Sequence, residues 1–288
     1  MVLPAQADDR TGATAGRNVH DPVVTMSRGA LWRILLAGVA ALAAAAYGLG
    51  SATSCDGVGS GACTRVLFVG NSYTSVNDLP ATFAALARAG GHATTTSMLA
   101  PGGAYLADEV GSSEMANRLA TGWDVVVLQE QSQLAAVPRL RSSRVDPAVR
   151  SLAGMIRASA ALPVLFMTWA HRDGWPELGL ATYEAMQREV DDGYLVMARE
   201  IQVPVAPVGY AWWIVHRQAP AIELWQSDGS HPSAAGTYLA ACVFYAVIFR
   251  QSPEGLAGPD GLSSDDARFL QGVAATTVLN DPAHWVLP

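Results

Sequence analysis

The sequence of 288 residues predicts an α/β fold, a flavodoxin-like three-layer α/β/α sandwich with a five-stranded parallel sheet. Three observations lead there. From Thr64 onward, short β-like runs alternate with segments of helical spacing, the rhythm of parallel strands joined by helices. The runs RVLFV and DVVVL are apolar almost throughout, as strands covered on both faces are. No internal repeat, long linker or second domain interrupts the pattern.

The elements follow in order. Arg65–Val69 reads as a buried strand. Leu79, Phe83, Leu86 and Ala87 carry helical spacing over Leu79–Ala89, which Gly90-Gly91 ends. Ala93–Leu99 is a Thr-rich strand and Ser113–Thr121 a short helix. Asp124–Leu128 is the strongest strand in the chain. Asp146-Pro147 opens a helix through Ala160, with proline at a favoured first-turn position. Val164–Thr168 is the fourth strand, Leu180–Ile201 a long amphipathic helix, and Val203–Val208 a proline-interrupted fifth strand. Tyr210, Trp212 and Trp213 fall at the start of a helix and read as packing residues. Ser233–Phe249 is almost wholly apolar, which suits a helix packed flat on the sheet, and Ser263–Val278 closes the chain.

The first 63 residues read differently. Residues 1–27 are polar and without apolar period: a disordered extension, or text ahead of a true start at Met26. Residues 28–52 read as a signal peptide or an N-terminal membrane anchor. Arg28 and Arg33 flank the start of an apolar run of 16 residues, Ile34 to Leu49. That length lies between the roughly 7–15 residues of a signal-peptide core and the roughly 20 of a spanning helix. Gly50-Ser51-Ala52 offers small residues for cleavage, whereas Ala52-Thr53-Ser54-Cys55 lacks the leucine usual before a lipidated cysteine. Each alternative puts the remainder outside the cytoplasm, with membrane contact only through this segment if it stays uncleaved. Residues 53–63 are a Gly/Ser linker in which Cys55 and Cys63 could close a disulfide loop in an oxidising compartment. Cys242 reads as a small buried hydrophobe. Residues 64–288 are the folded domain.

Composition removes several function classes. All 18 basic residues are arginine, so a P-loop lysine, a Schiff-base lysine and a Ser-Lys dyad are excluded. The net charge of −7 argues against a nucleic-acid partner. Cys-x-x-Cys and His-Glu-x-x-His spacings are both missing from the sequence, so neither metal nor cofactor is expected.

In a sheet of this kind, sites lie beyond the carboxyl ends of the strands. After the first strand, Gly70-Asn71-Ser72-Tyr73-Thr74 permits a tight turn and sets a serine near a helix N-terminus, where backbone N–H groups can meet an oxyanion. Such a turn alone is common. Pro101-Gly102-Gly103-Ala104 follows the second strand, and a glycine there lets a backbone N–H face the crevice. The third strand runs into Gln129-Glu130-Gln131-Ser132-Gln133, whose amides could donate to an oxyanion. Ser227-Asp228-Gly229-Ser230-His231-Pro232 sets an Asp and a His on one tight loop, where the Asp can orient the imidazole toward a serine. Trp169 and His171, in the loop after the fourth strand, border the crevice and, with Asn71, are candidate substrate contacts. His171 is a competing base but lacks the Asp-x-x-His setting.

Taken together, from Thr64 to Phe249, the chain resembles the SGNH/GDSL hydrolase superfamily, the GDSL esterase/lipase group. VLFVGNSYT is similar to its first block, PGGAYL to its second and DGSHP to its last. The third block, usually Gly-x-Asn-Asp, is replaced by LQEQSQ, like members in which a glutamine takes the asparagine's place. The resemblance implies Ser72 as nucleophile, His231 as base and Asp228 as its orienting acid. It implies an oxyanion hole of the Ser72 N–H, the Gly103 N–H and Gln129, with Gln131 the next choice. The implied activity is hydrolysis of short-chain or O-acetyl esters of small molecules or glycans. Two alternatives share the fold: an O-acyltransferase with the same triad, and a catalytically silent binding module.

Overall fold

The computed structural model describes residues 63–131 and 133–288. The expected N-terminal extension, the signal or anchor segment and Cys55 of the Cys55–Cys63 pair lie outside the described residues. Five parallel strands form one sheet in the order β2-β1-β3-β4-β5, the flavodoxin-like arrangement. They are β1 (Cys63–Val69), β2 (Ala93–Leu99), β3 (Val125–Leu128), β4 (Leu162–Phe166) and β5 (Val205–Ala206). Cys63, read from sequence as linker, opens β1 opposite Ala93. Every residue of β3 is buried, because β1 and β4 flank it and helices cover both faces. β2 lies at the edge, and its burial alternates in part, which accounts for its threonines.

The helices that cover the sheet are α1 (Leu79–Ala89), α2 (Ser113–Ala120), α3 (Asp146–Ala158), α4 (Tyr183–Ile201), α5 (Val208–Gln218), α6 (Ala234–Phe249) and α7 (Ser264–Leu279). Their starts follow local chemistry. Side chains of Asp78, Ser112, Thr182, Ser233 and Ser263 each accept a backbone N–H at the helix N-terminus. Asn77 and Asp78 hold left-handed backbone (φ 58° and 51°), a conformation their short polar side chains tolerate best. α6 is buried on nearly all sides between α1, α7 and the sheet; Phe244 packs edge-on to both Phe68 of β1 and Phe166 of β4.

Several boundaries differ from expectation, three of them for reasons of local pairing and chain chemistry. β4 runs Leu162–Phe166, not Val164–Thr168, because its ladder to β3 begins at Leu162 opposite Val125. β5 shrinks to Val205–Ala206, since the flanking Pro204 and Pro207 have no N–H to donate. α4 starts at Tyr183, because Leu180 instead pairs with Trp175 across a small antiparallel bridge and Thr182 forms the cap. Among the described residues, no helix is long and apolar enough to cross a membrane.

Candidate active site

The chain leaves β1 at Gly70 and turns at once into a single helical turn, Ser72–Ser75. Asn71 is its cap: Oδ1 accepts the Tyr73 N–H at 3.1 Å. Gly70 is required here, because a Cβ would run into the Gln129 side-chain oxygen and Thr74 Oγ1. Ser72 therefore stands at the carboxyl end of the sheet, only partly covered.

The loop ahead of α6 reaches the same point from the other end of the chain. Trp225 and Pro232 form an antiparallel bridge, and Gly229 turns at φ 69°. Asp228 gathers the loop: Oδ1 accepts the N–H groups of Ser230 (2.9 Å) and His231 (3.0 Å), and Oδ2 lies 2.6 Å from His231 Nδ1. His231 Nε2 is 2.9 Å from Ser72 Oγ, across 159 positions of sequence. With Nδ1–H donated to the carboxylate, Nε2 is the acceptor for the serine hydroxyl. Partial burial pulls the Asp228 pKa upward, but bonds from the His231 ring and the Ser230 and His231 N–H groups outweigh it and lower it to about 2. Asp228 is thus an anion through the neutral range.

Aromatic packing supports this meeting. Trp169 is fully buried, stacked at 4.6 Å on Tyr73 and at 4.0 Å on Trp212, and its Nε1 donates to Ser230 O at 2.9 Å. Tyr73 Oη lies 2.7 Å from Ser230 Oγ. The Ser72 turn and the His231 loop are thus joined beneath the Ser72–His231–Asp228 hydrogen bonds as well as through them. The expectation of Trp169 as a substrate contact is corrected: its ring is enclosed between Tyr73 and Trp212 and bonded to Ser230 O, in the layer under the site.

A cavity of about 140 Å³ opens over Ser72 and His231, lined also by Asn71, Gly103, Gln131, Gln133 and His171. Gly103 reaches it in left-handed backbone, φ 74°. His171 lies on its wall; burial lowers the ring's pKa, Asp228 opposes that and His231 adds to it. His231, not His171, bonds Ser72 Oγ. Asn71 borders the cavity, but its amide is committed to the scaffold: Nδ2 donates to Ala104 O at 3.1 Å, and Oδ1 holds both Tyr73 N and Gln129 Nε2.

Gln129 is a second correction. Its N–H still donates to Val69 O, so it remains in the sheet and its side chain is 1% exposed. Oε1 accepts from Asn71 N and Thr74 Oγ1, each at 2.9 Å, while Nε2 donates to Asn71 Oδ1 and Glu130 O. Its two donors are spent on Asn71 of the Ser72 turn and on the carbonyl of its own neighbour Glu130, and the cavity receives Gln131 and Gln133 instead. Sequence reasoning passed over Tyr73, Ser230 and Gln133. Tyr73 directly follows the nucleophile and Ser230 directly precedes the histidine, so adjacency was the signal for both. Among the described residues, no group of three or more His, Cys, Asp or Glu side chains could hold a metal ion.

No family model and no curated protein matches the chain. Solved structures do. A protein from Slackia heliotrinireducens described as a candidate SGNH hydrolase superposes with a TM-score of 0.56 at 31% identity, over 65% of this chain and 99% of that one. A DUF4886 family protein from Bacteroides uniformis gives 0.65 at 19% identity, over 75% of this chain and 95% of that one. Axe2, an acetylxylan esterase from Geobacillus stearothermophilus, gives 0.50 at 17% identity, over 65% and 94%. At such low identity the last two share the fold.

Proposed function

The chain belongs to the SGNH hydrolases, and from that premise we propose that it is a serine esterase of short-chain or O-acetyl esters, working outside the cytoplasm by an acyl-enzyme mechanism. The observation that carries the reading is the unbroken chain of hydrogen bonds from Asp228 through His231 to Ser72. His231 takes the serine proton as Oγ attacks the ester carbonyl, and Asp228 stabilises the imidazolium that forms. The tetrahedral oxyanion is met by the Ser72 N–H, the Gly103 N–H and the side-chain amide of Gln131. One such donor contributes about 3–4 kcal/mol to the transition state. His231 then protonates the leaving alcohol, and water attacks the acyl-enzyme by the same route in reverse.

The small cavity, with its glutamine, histidine and serine lining, favours an acetyl group over a long chain, which would need an extended apolar groove. That chemistry agrees with the acetylxylan esterase among the structural neighbours. The location outside the cytoplasm rests on Arg28, Arg33 and the apolar Ile34–Leu49 segment.

A panel of p-nitrophenyl esters of rising chain length, run beside acetylated oligosaccharides, tests the reading. Acetate esters should turn over fastest and activity should fall steadily with chain length. A preference for long chains would contradict it. Acyl transfer to an added sugar in place of water would move the assignment to a transferase.

A further inference from the structure

At the end of β3, three consecutive side chains part company. Gln129 goes under the nucleophile turn, and Gln131 lines the cavity. Glu130, between them, is 1% exposed and takes no part in the mechanism above. Its Oε1 accepts the Gln131 N–H at 2.7 Å and the Leu106 N–H at 3.3 Å. One oxygen thus bonds two segments: the one that presents Gln131 and the one that presents Gly103. The Gly103 loop has a second anchor on its near side, the Asn71 amide on Ala104 O, and Asn71 is itself held by Gln129. Gly103 is exposed, sits in left-handed backbone and has no side chain of its own to hold it, so these anchors fix its position.

We propose that Glu130 is a positioning residue for the oxyanion hole, its Oε1 acting as a shared acceptor that fixes the separation of the Gly103 and Gln131 donors. This rests on the esterase reading and deepens it. A burial this complete is costly for a carboxyl group unless its oxygens are used, and here the use is the joining of two loops. The requirement is an acceptor oxygen at that place, not a charge. An amide oxygen satisfies it, and a shorter or apolar side chain does not.

Steady-state kinetics with p-nitrophenyl acetate on the full chain test this. Glu130→Met keeps the volume but removes the acceptor; kcat should fall about 10–100-fold, with KM within about threefold, because misplaced donors are felt in the transition state rather than in substrate binding. Glu130→Gln keeps an acceptor and should restore kcat to within about twofold of the parent. If Glu130→Met does not fold, Glu130→Asp retracts the oxygen by one methylene and carries the same expectation of lowered kcat at unchanged KM. Parental kcat in the Met or Asp variant would overturn the proposal, as would a Gln variant that falls as far as Met. Ser72→Ala is run alongside. Its loss of turnover is expected, and persistent turnover there would overturn the esterase reading and this proposal together.

Discussion

The two halves of the proposed site, the Asp228–His231 pair and the Gly103 and Gln131 side, are held by different means. His231 takes its orientation from Asp228, three residues away on an exposed turn, by bonds that the loop makes within itself. Gln131 and Gly103 are oriented from below, by the buried polar side chains of Gln129, Glu130 and Asn71, whose bonds link the segments that follow β1, β2 and β3. The first arrangement is local, and a six-residue peptide nearly specifies it. The second is tertiary and exists only once β1 and β3 are paired. The Asp228–His231 pair is fixed within its loop, although Trp169 and Tyr73 brace that loop at Ser230, whereas the Gly103 and Gln131 side depends on supports from other segments.

Kinetics can break that contrast. The largest effect belongs to the local side: His231→Ala should lower kcat/KM about 10⁴-fold or more, while His171→Ala keeps most of the activity. The reverse ranking in a steady-state assay would move the base to the loop after β4. Next comes Gln131→Ala, which should lower kcat about 10²-fold with KM little changed, the signature of one lost oxyanion donor. A parental kcat would remove Gln131 from the hole.

The smallest expected effect is on stability and sharpens the tertiary side. Burial raises the Glu130 carboxyl from its ordinary 4.5 to about 7; the Gln131 and Leu106 N–H bonds oppose the rise and Asp108 adds to it. Tyr194, buried, is the other titratable neighbour on this side. A carboxyl raised on folding favours the folded state fully below its unfolded value, and that advantage is lost as pH climbs through about 7. Glu130→Gln should therefore gain stability over the parent between pH 5 and pH 8, by on the order of 3 kcal/mol at most. Urea unfolding at the two pH values measures it, and an equal difference at both would contradict the raised carboxyl.

The same contrast explains what could be read in the chain. Alternation of strands and helices gave away the layers and the sheet, and helix starts such as Ser233 and Ser263 follow from cap chemistry alone. Ser72, Asp228 and His231 were legible because each lies in a short run whose turn chemistry is local, and these three are linked by hydrogen bonds. Gln129 was misread because its role depends on how far β3 extends before the chain turns outward, and one residue decides whether an amide faces a cavity or a core. Trp169 was misread because the rings that enclose it, Tyr73 and Trp212, come from distant elements. Glu130 carried no assigned role in the sequence reading; only the paired sheet shows it to be buried.

Covalent trapping tests the central claim most directly. A fluorophosphonate should attach to Ser72, and tryptic cleavage at Arg65 and Arg88 releases that serine in a single peptide, residues 66–88. The added mass is expected on this peptide in the parent protein and nowhere in Ser72→Ala. An adduct on a different peptide, or undiminished labelling of the Ser72→Ala chain, would contradict the account.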